Sequence, residues 1–327
     1  MSILLTSDEV RTQSMSVWKQ FGENLWIPNS KKNATLPRED INKLQHSGIG
    51  KFAVLVAMGS SVEDNIQVLK ENRHKIDIIA CDKAFGPLLD HGVKADYVVV
   101  ADAGIPYRFI EKYIKDTKDV SLLATPYANT EWTTNWLGKR YFYVNQDAIE
   151  SERIFAPIMA DRYRIIPASS NVSNAMSVLW TNCENKKNEN WGGYESYYLI
   201  GYDYSWPVNG NYYAWDNPIP KRHYMNHRTI LDMTGSPVFT SENLLFSCKW
   251  MISYVTTFQL PIINCSGKGI LDIPLKLKLS DALKRVRNEK KYMDIVRQSF
   301  YAWKDSFQAY KQTEKNFFSF KEDLLYT

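Results

Sequence analysis

Cysteine and histidine are scarce in this chain, and that scarcity excludes several chemistries. Four cysteines, Cys81, Cys183, Cys248 and Cys265, are spread along 327 residues. They form no CxxC pair and no Cys/His cluster, so neither a zinc site nor a disulfide framework is expected. Such cysteines read as small buried thiols. Histidine occurs five times, and His46, His74 and His91 stand in turn or helix-surface contexts that read as solvated. No apolar run is long enough to cross a bilayer. The opening MSILLTSDEVRTQS has a short apolar run followed at once by acid, unlike a signal peptide, so a cytoplasmic protein is expected. A dominant charge is missing too: 40 Lys and Arg face 36 Asp and Glu, for a net +4. That balance permits a phosphate-bearing ligand or a nucleic acid and demands neither. Neither a Walker loop nor a full dinucleotide fingerprint is present.

What is present is a rhythm. From residue 51, short apolar runs alternate with amphipathic segments. FAVLVAM (52–58) leads through GSS into VEDNIQVLKENRH. IDIIACD (76–82) leads into KAFGPLLDHG, a short helix closed by Gly92. DYVVVAD (96–102) leads into YRFIEKYIKDT. SLLATPY (121–127), RYFYVNQ (140–146), YRIIPAS (163–169) and YYLIGYD (197–203) read as further strands, and SNVSNAMSVLWTN reads as a helix. This alternation predicts an α/β, Rossmann-like fold: a mainly parallel sheet with helices on both faces. Three regions are expected. They are a helical or irregular appendage over 1–50, a nucleotide-binding α/β domain over 51–275 with a lid at about 204–230, and a helical segment over 276–327. In that last segment Phe300, Trp303, Phe307 and Tyr310 fall at helical spacing, which reads as a packing stripe. CENKKNENWGGYES (183–196) reads as an exposed excursion.

Ligands of such sheets bind beyond the C-terminal strand ends, and those ends are polar here. Gly59, Ser60 and Ser61 turn a strand into a helix whose free N–H groups suit a phosphate. Asp82 with Lys83, Asp102, the segment Ser169, Ser170, Asn171, and Asp203 end other strands. Each alone reads as a helix cap; together they predict a cleft. After Asp203 comes YSWPVNGNYYAWD, too aromatic for a plain loop and too polar for a core strand. His223 and His227 follow in KRHYMNHRT. Pro218 and Pro220 argue for a loop there and no third ligand is near, so no metal site is expected. A loop histidine beside a cleft suits a general base.

GYDYSWPVNGNYYAWD followed by HYMNH resembles the bacterial lipooligosaccharide sialyltransferases, glycosyltransferase family 42. Those show G-I-D-F-Y, then N-G-x-x-Y-A-F-D, then H-Y-x-x-H. Gly201 and Asp203 match the first element. Asn209, Gly210, Tyr213, Ala214 and Asp216 match the second, with Trp215 for phenylalanine. His223, Tyr224 and His227 match the third. Upstream, AMGSSV, ACDK and SSNVSNAM resemble the family's N-G-P-S, C-N-Q and T-S-G-V segments. Met58, Ser60, Asp82 and Asn171 depart from that pattern, and Tyr204 best fits the family's first tyrosine after a longer spacer. The run from GKFAVLVAMGSSV to ADYVVVADAG is also similar to motility accessory factors and archaeal 6-hydroxymethylpterin diphosphokinase-like proteins.

The first resemblance implies a variant of the GT-A-like nucleotide-binding fold and a metal-independent, inverting glycosyltransferase with a CMP-linked sugar donor and no required cofactor. It implies Tyr213, with Tyr204 or Tyr224, as donors to the departing phosphate and His227 as the base. Gly59, Ser60, Ser61, Asp82, Lys83, Asp102, Ser169, Ser170, Asn171, Asp203, Asn209 and His223 are the candidates to hold the donor. Trp206 and Trp215 would shield the sugar from water. The acceptor stays open among a glycan, a protein side chain and a hydroxylated nucleic-acid base, and an oligomer docked through the C-terminal helix is compatible with the sequence. The second resemblance implies a magnesium-dependent diphosphokinase using Asp82 and Asp102. A non-catalytic nucleotide-binding module is the third reading.

Overall fold

The computed structural model describes residues 12, 15–16, 18–146, 151–167, 171–181, 191–215 and 227–284. Its centre is an eight-stranded sheet in the order β11-β7-β1-β2-β3-β4-β5-β6. The strands are β1 Phe52–Val56, β2 Ile76–Cys81, β3 Tyr97–Val100, β4 Ser121–Ala124, β5 Arg140–Gln146, β6 Tyr163–Pro167, β7 Tyr197–Ile200 and β11 Ile262–Asn264. Every neighbouring pair is parallel. The apolar runs explain why. A strand covered by helices on both faces needs no polar side, so FAVLV, IDIIAC and YVVV carry apolar residues, many of them β-branched, almost without a break. Val54, Leu55, Val56, Ile78, Ile79, Val98, Val99 and Val100 are all fully buried, each contributing about 1.5–3 kcal/mol of transfer free energy.

The helices are α1 Ile27–Ala34, α2 Ser61–Asn72, α3 Asp82–Asp90, α4 Thr130–Asn135, α5 Ser151–Met159, α6 Val172–Thr181, α7 Glu242–Phe258 and α8 Leu279–Ala282. Of these, α2, α3 and α6 are the crossover helices expected from the sequence, and α4 and α5 lie where no helix is expected. The stretch YRFIEKYIKDT differs from its expected helix. It forms 3-10 segments, Tyr107–Phe109 and Glu111–Asp119. There the Thr117 hydroxyl donates to Ile114 O at 2.7 Å, three residues back, the spacing of a 3-10 turn.

Strand order carries the functional geometry. From β1 the chain steps outward through β2 to β6. It then returns along α6, which packs across β1, β2 and β3, to lay β7 on the other flank of β1. Order therefore reverses between β1 and β7, the place where parallel sheets open a crevice. Beyond β7 the chain builds a small antiparallel sheet, order β8-β10-β9, from β8 Trp206–Pro207, β9 His227–Leu231 and β10 Pro237–Ser241. β10, α7 and β11 lie in stretches the sequence analysis assigned to no element. β8 and most of β9 fall in the stretch expected as a lid, and His227, expected in a loop, starts a strand.

The polar segment before residue 50 is fastened to the main body. Buried Asn33 donates to Pro126 O at 2.6 Å and Ala128 O at 2.9 Å and accepts from the Thr133 hydroxyl at 2.6 Å. Trp26 stacks on Tyr127 with ring centroids 4.5 Å apart. Cys81, Cys248 and Cys265 are free and buried. Among the described residues no helix is long and apolar enough to cross a membrane.

Candidate functional site

At the reversal point the first strand end is tied to the seventh. Helix α2 begins at Ser61, and the residue before it, Ser60, makes no side-chain capping bond. The cap comes from β7. The Asp203 carboxylate accepts the Ser61 N–H at 2.8 Å, the Ser61 hydroxyl through a short bond, and the Ser60 hydroxyl at 3.4 Å. The Ser61 hydroxyl in turn accepts the Gly201 N–H at 2.9 Å. A carboxylate at a helix N-terminus complements the helix dipole. Asp203 is 2% exposed; burial pushes its carboxyl up to about 6 against the pull of the Ser61 bonds. Gly59 makes this closeness possible, because a Cβ there would sit 2.6 Å from Asp203 Cγ and 2.7 Å from Gly201 O. Gly201 has φ +74°, a left-handed conformation.

One strand further out the chemistry is open rather than closed. Asp82 and Lys83 start α3 at the end of β2. Asp82 is 3% exposed. Its Oδ1 accepts the Lys83 N–H at 2.7 Å. Burial pushes the carboxyl up to about 6, against the Lys83 cation and that N–H; Asp102 adds to the rise. The Lys83 ammonium lies 3.1 Å from the Tyr213 hydroxyl. Burial works against its charge, but Tyr213, Asp82 and Asp102 more than offset this and hold it above the ordinary lysine range. Asp102, past the end of β3, is exposed and accepts the Gly104 N–H at 2.8 Å.

Tyr213 reaches Lys83 because the segment after β7 folds back over the strand ends. Ala214 N–H donates to Met58 O at 3.0 Å, just past β1, and Trp215 N–H donates to Glu63 Oε1 on α2 at 2.6 Å. The Trp215 ring stacks on His91 at 4.3 Å. A run of ring contacts links Tyr213 back to the small sheet: Tyr213 to Tyr212 at 4.7 Å, Tyr212 to Trp206 at 4.6 Å, and Trp206 to His227 at 6.2 Å.

The structure therefore brings Gly59, Ser60, Ser61 and Asp203 into one cluster, and Asp82, Lys83, Asp102 and Tyr213 into another. His227 is exposed at the start of β9. Tyr204 is buried, has φ +50°, and donates its hydroxyl to Asn174 Oδ1 at 2.5 Å. Asn171 Oδ1 accepts the Asn174 N–H at 2.9 Å, a capping contact for α6. Asn209 is exposed in the turn after β8. Ser169, Ser170, His223 and Tyr224 lie outside the described residues, as do Asp216 and the C-terminal stripe of Phe300, Trp303, Phe307 and Tyr310. Tyr127 and Asn145, near the ends of β4 and β5, and Tyr143, in the middle of β5, are buried polar side chains that the sequence did not single out. RYFYVNQ reads as an ordinary strand and gives no signal that sets them apart.

Comparison with known proteins agrees with this fold. The chain is similar over 91% of its length to the structure of a Maf glycosyltransferase from Magnetospirillum magneticum AMB-1, at 19% identity and a TM-score of 0.59. It spans 43% of that longer protein. No curated protein matches the sequence. The model of the family described as "6-hydroxymethylpterin diphosphokinase MptE-like" matches residues 24–207. That span runs from just before α1 through β8 and takes in β1 to β7, so it covers more than half of the chain, the first strand-end cluster and, of the second, Asp82, Lys83 and Asp102 but not Tyr213. The protein belongs to the 6-hydroxymethylpterin diphosphokinase MptE-like family.

Proposed function

We propose that this protein is a glycosyltransferase that moves a sugar from a nucleotide-sugar donor, CMP-linked by its sequence resemblance, to an acceptor hydroxyl. The observation that carries the reading is the Lys83–Tyr213 pair, an ammonium and a phenol 3.1 Å apart at the end of β2. Breaking the bond between the anomeric carbon and the phosphate oxygen leaves negative charge on the phosphate. Two preorganised donors aimed at one point stabilise that charge, and removal of such a donor costs about 10²–10³-fold in rate. The acceptor oxygen attacks from the opposite face, inverting the anomeric centre. His227, on the same returning segment, takes the acceptor's proton, a contribution of about 10²–10⁴-fold. The phosphate binds at Lys83 rather than at the α2 N-terminus, because Asp203 already holds the Ser61 N–H there. The Maf protein's name as a glycosyltransferase supports the reaction class, and sialyltransferase-like specificity rests on the resemblance alone.

A second reading comes from the family's description: transfer of diphosphate to a pterin alcohol. It is favoured by Asp82 and Asp102, carboxylates at the ends of the neighbouring strands β2 and β3. They fit a magnesium ion of the kind held by one or two carboxylates plus substrate phosphates, which would neutralise phosphate charge when bound. One experiment separates the two. The full chain is incubated with CMP-, UDP- and GDP-sugars, or with ATP and 6-hydroxymethylpterin, with EDTA or with magnesium. Release of free nucleotide from a sugar donor in EDTA, lost in Tyr213→Phe and His227→Ala, is the expected result. Magnesium-dependent AMP release from ATP with the pterin alone overturns it in favour of the second reading.

A further inference from the structure

Residues 208–215, which carry Tyr213 back over the strand ends, form neither helix nor strand. Yet the Tyr213 hydroxyl lies 3.1 Å from the Lys83 ammonium. A loop holds a side chain at such a place only where groups outside it support the backbone. That support comes two residues further on, at Trp215. Its φ is +55°, a left-handed conformation that a bulky residue keeps only where its surroundings over-determine it. The Trp215 N–H donates to Glu63 Oε1, in the first turn of α2, at 2.6 Å. Its ring stacks on the His91 imidazole, with centroids 4.3 Å apart and planes 21° from parallel. His91 ends α3, and its Nδ1–H donates to Pro87 O at 2.8 Å, which fixes the plane of that imidazole. Between the two aromatic residues, the Ala214 N–H donates to Met58 O at 3.0 Å.

Lys83 and His91 stand at opposite ends of one short helix. α3 runs Asp82–Asp90, and at 1.5 Å per residue the rise from Lys83 to His91 is about 12 Å. The returning segment therefore touches α3 at both ends, Tyr213 at the first turn and Trp215 past the last. Contact at the far end sets the register at the near one. With Trp215 seated on His91 and tied to α2 by Glu63, Tyr213 is held in place along the helix. We propose that Glu63 and His91 are positioning residues that seat the returning segment along α3 and so hold the Tyr213 hydroxyl against Lys83, where the departing phosphate binds. The effect on turnover rests on the glycosyltransferase reading above; the seating itself does not. Neither residue touches the reacting atoms, and both act through Tyr213. A shift of about 1 Å in a group that meets the transition state costs up to about 10²-fold in rate. Because the phosphate gains its charge as it departs, losing the seat acts on kcat more than on KM.

The test uses the full chain with Glu63→Ala and His91→Ala, and with Glu63→Gln and His91→Phe, which keep the acceptor oxygen and the ring. Circular dichroism and urea unfolding verify the fold; Glu63 is exposed and His91 half-buried. Acetylation of Lys83 by N-hydroxysuccinimidyl acetate, read by mass spectrometry against the exposed Lys115, reports whether Tyr213 still covers the ammonium. Lys83 should react several-fold faster in both alanine variants and at the wild-type rate in the conservative pair. Release of free nucleotide from CMP-, UDP- and GDP-sugars gives the second measure. In the alanine variants kcat should fall by about 10–10²-fold with KM within about twofold of wild type, and the conservative pair should restore it. On a Tyr213→Phe background, Glu63→Ala should cost no more than about a further twofold, since no hydroxyl is left to seat. Equal fractional losses on the two backgrounds, unchanged Lys83 labelling in the alanine variants, or conservative variants as impaired as the alanine ones overturn the positioning role. If the wild-type chain turns over no sugar donor, the glycosyltransferase reading fails and labelling alone decides. Faster labelling in the alanine variants that the conservative pair restores then sustains the seat, and any other pattern overturns it.

Discussion

Two neighbouring strand ends in this protein are built from similar residues and behave oppositely. At the β1/β7 reversal, Asp203, Ser60, Ser61 and Gly201 satisfy one another. At β2, Asp82 and Lys83 are buried or nearly so, yet among the described residues the cation hydrogen-bonds to a single phenol and the carboxylate to its neighbour's N–H alone. Both carboxyls are pushed up to about 6, with burial the leading cause in each. What differs is the partners. A polar group whose bonds are all made inside the protein contributes to the fold, and one with bonds still to make is available to a ligand. The lesson is that a Gly-Ser turn opening a helix at a strand end is not by itself a phosphate site, because another strand can supply the anion.

The sharpest way to break this comparison is Lys83→Ala. Donor turnover should fall by about 10²–10³-fold while the urea midpoint falls only modestly, since among the described residues the ammonium hydrogen-bonds only to Tyr213 and its other partners act through charge. A large loss of stability with activity retained would make the β2 end structural as well.

The next largest effect concerns pH. A carboxyl whose value is raised in the folded state contributes stability below its unfolded value, near 4, and loses that contribution as pH rises through about 6. Asp82→Asn removes this loss. Relative to wild type, the variant should gain stability between pH 4 and 7, by up to about 3 kcal/mol, in urea titrations at matched pH. A constant difference across that window would show that Asp82 is not held high.

Gly59→Ala probes the closed region. Its Cβ would press on the Asp203 carboxylate and on Gly201 O, and the expected loss is about 2–3 kcal/mol of unfolding free energy. Nucleotide affinity, scaled to the folded fraction, should be unchanged. Smallest is the contrast between two tyrosines. Tyr204→Phe loses the bond to Asn174 and should cost about 1 kcal/mol of stability with turnover retained. Tyr213→Phe should do the reverse, and equal effects on turnover would dissolve the distinction.

Much of the fold was legible because burial on both faces forces a simple pattern. FAVLV, IDIIAC and YVVV have few alternatives to central parallel strands, and GSSVEDN and CDKAFG mark the turns that follow them. The edge was harder. β11 is three residues long, and β8 and β9 are exposed or short, so neither length nor alternation distinguishes them from loop. The site was legible as a set of strand ends and not as a set of partners. Asp203 lies 142 residues from Ser61 and Tyr213 lies 130 from Lys83, and local pattern carries no information about such pairs. Tyr204 and Tyr213 look alike in sequence; one is turned into the core and the other onto a lysine.

The sequence by itself determined the parallel sheet, its helical crossovers and the concentration of polar groups at the C-terminal strand ends. It could do so because those depend on hydrophobic period and on turn chemistry within a few residues. Only the tertiary structure decided which polar ends close on each other and which stay open. That outcome depends on strand order, which places β7 against β1 and lets Asp203 reach Ser61, while the segment after β7 carries Tyr213 past them to Lys83.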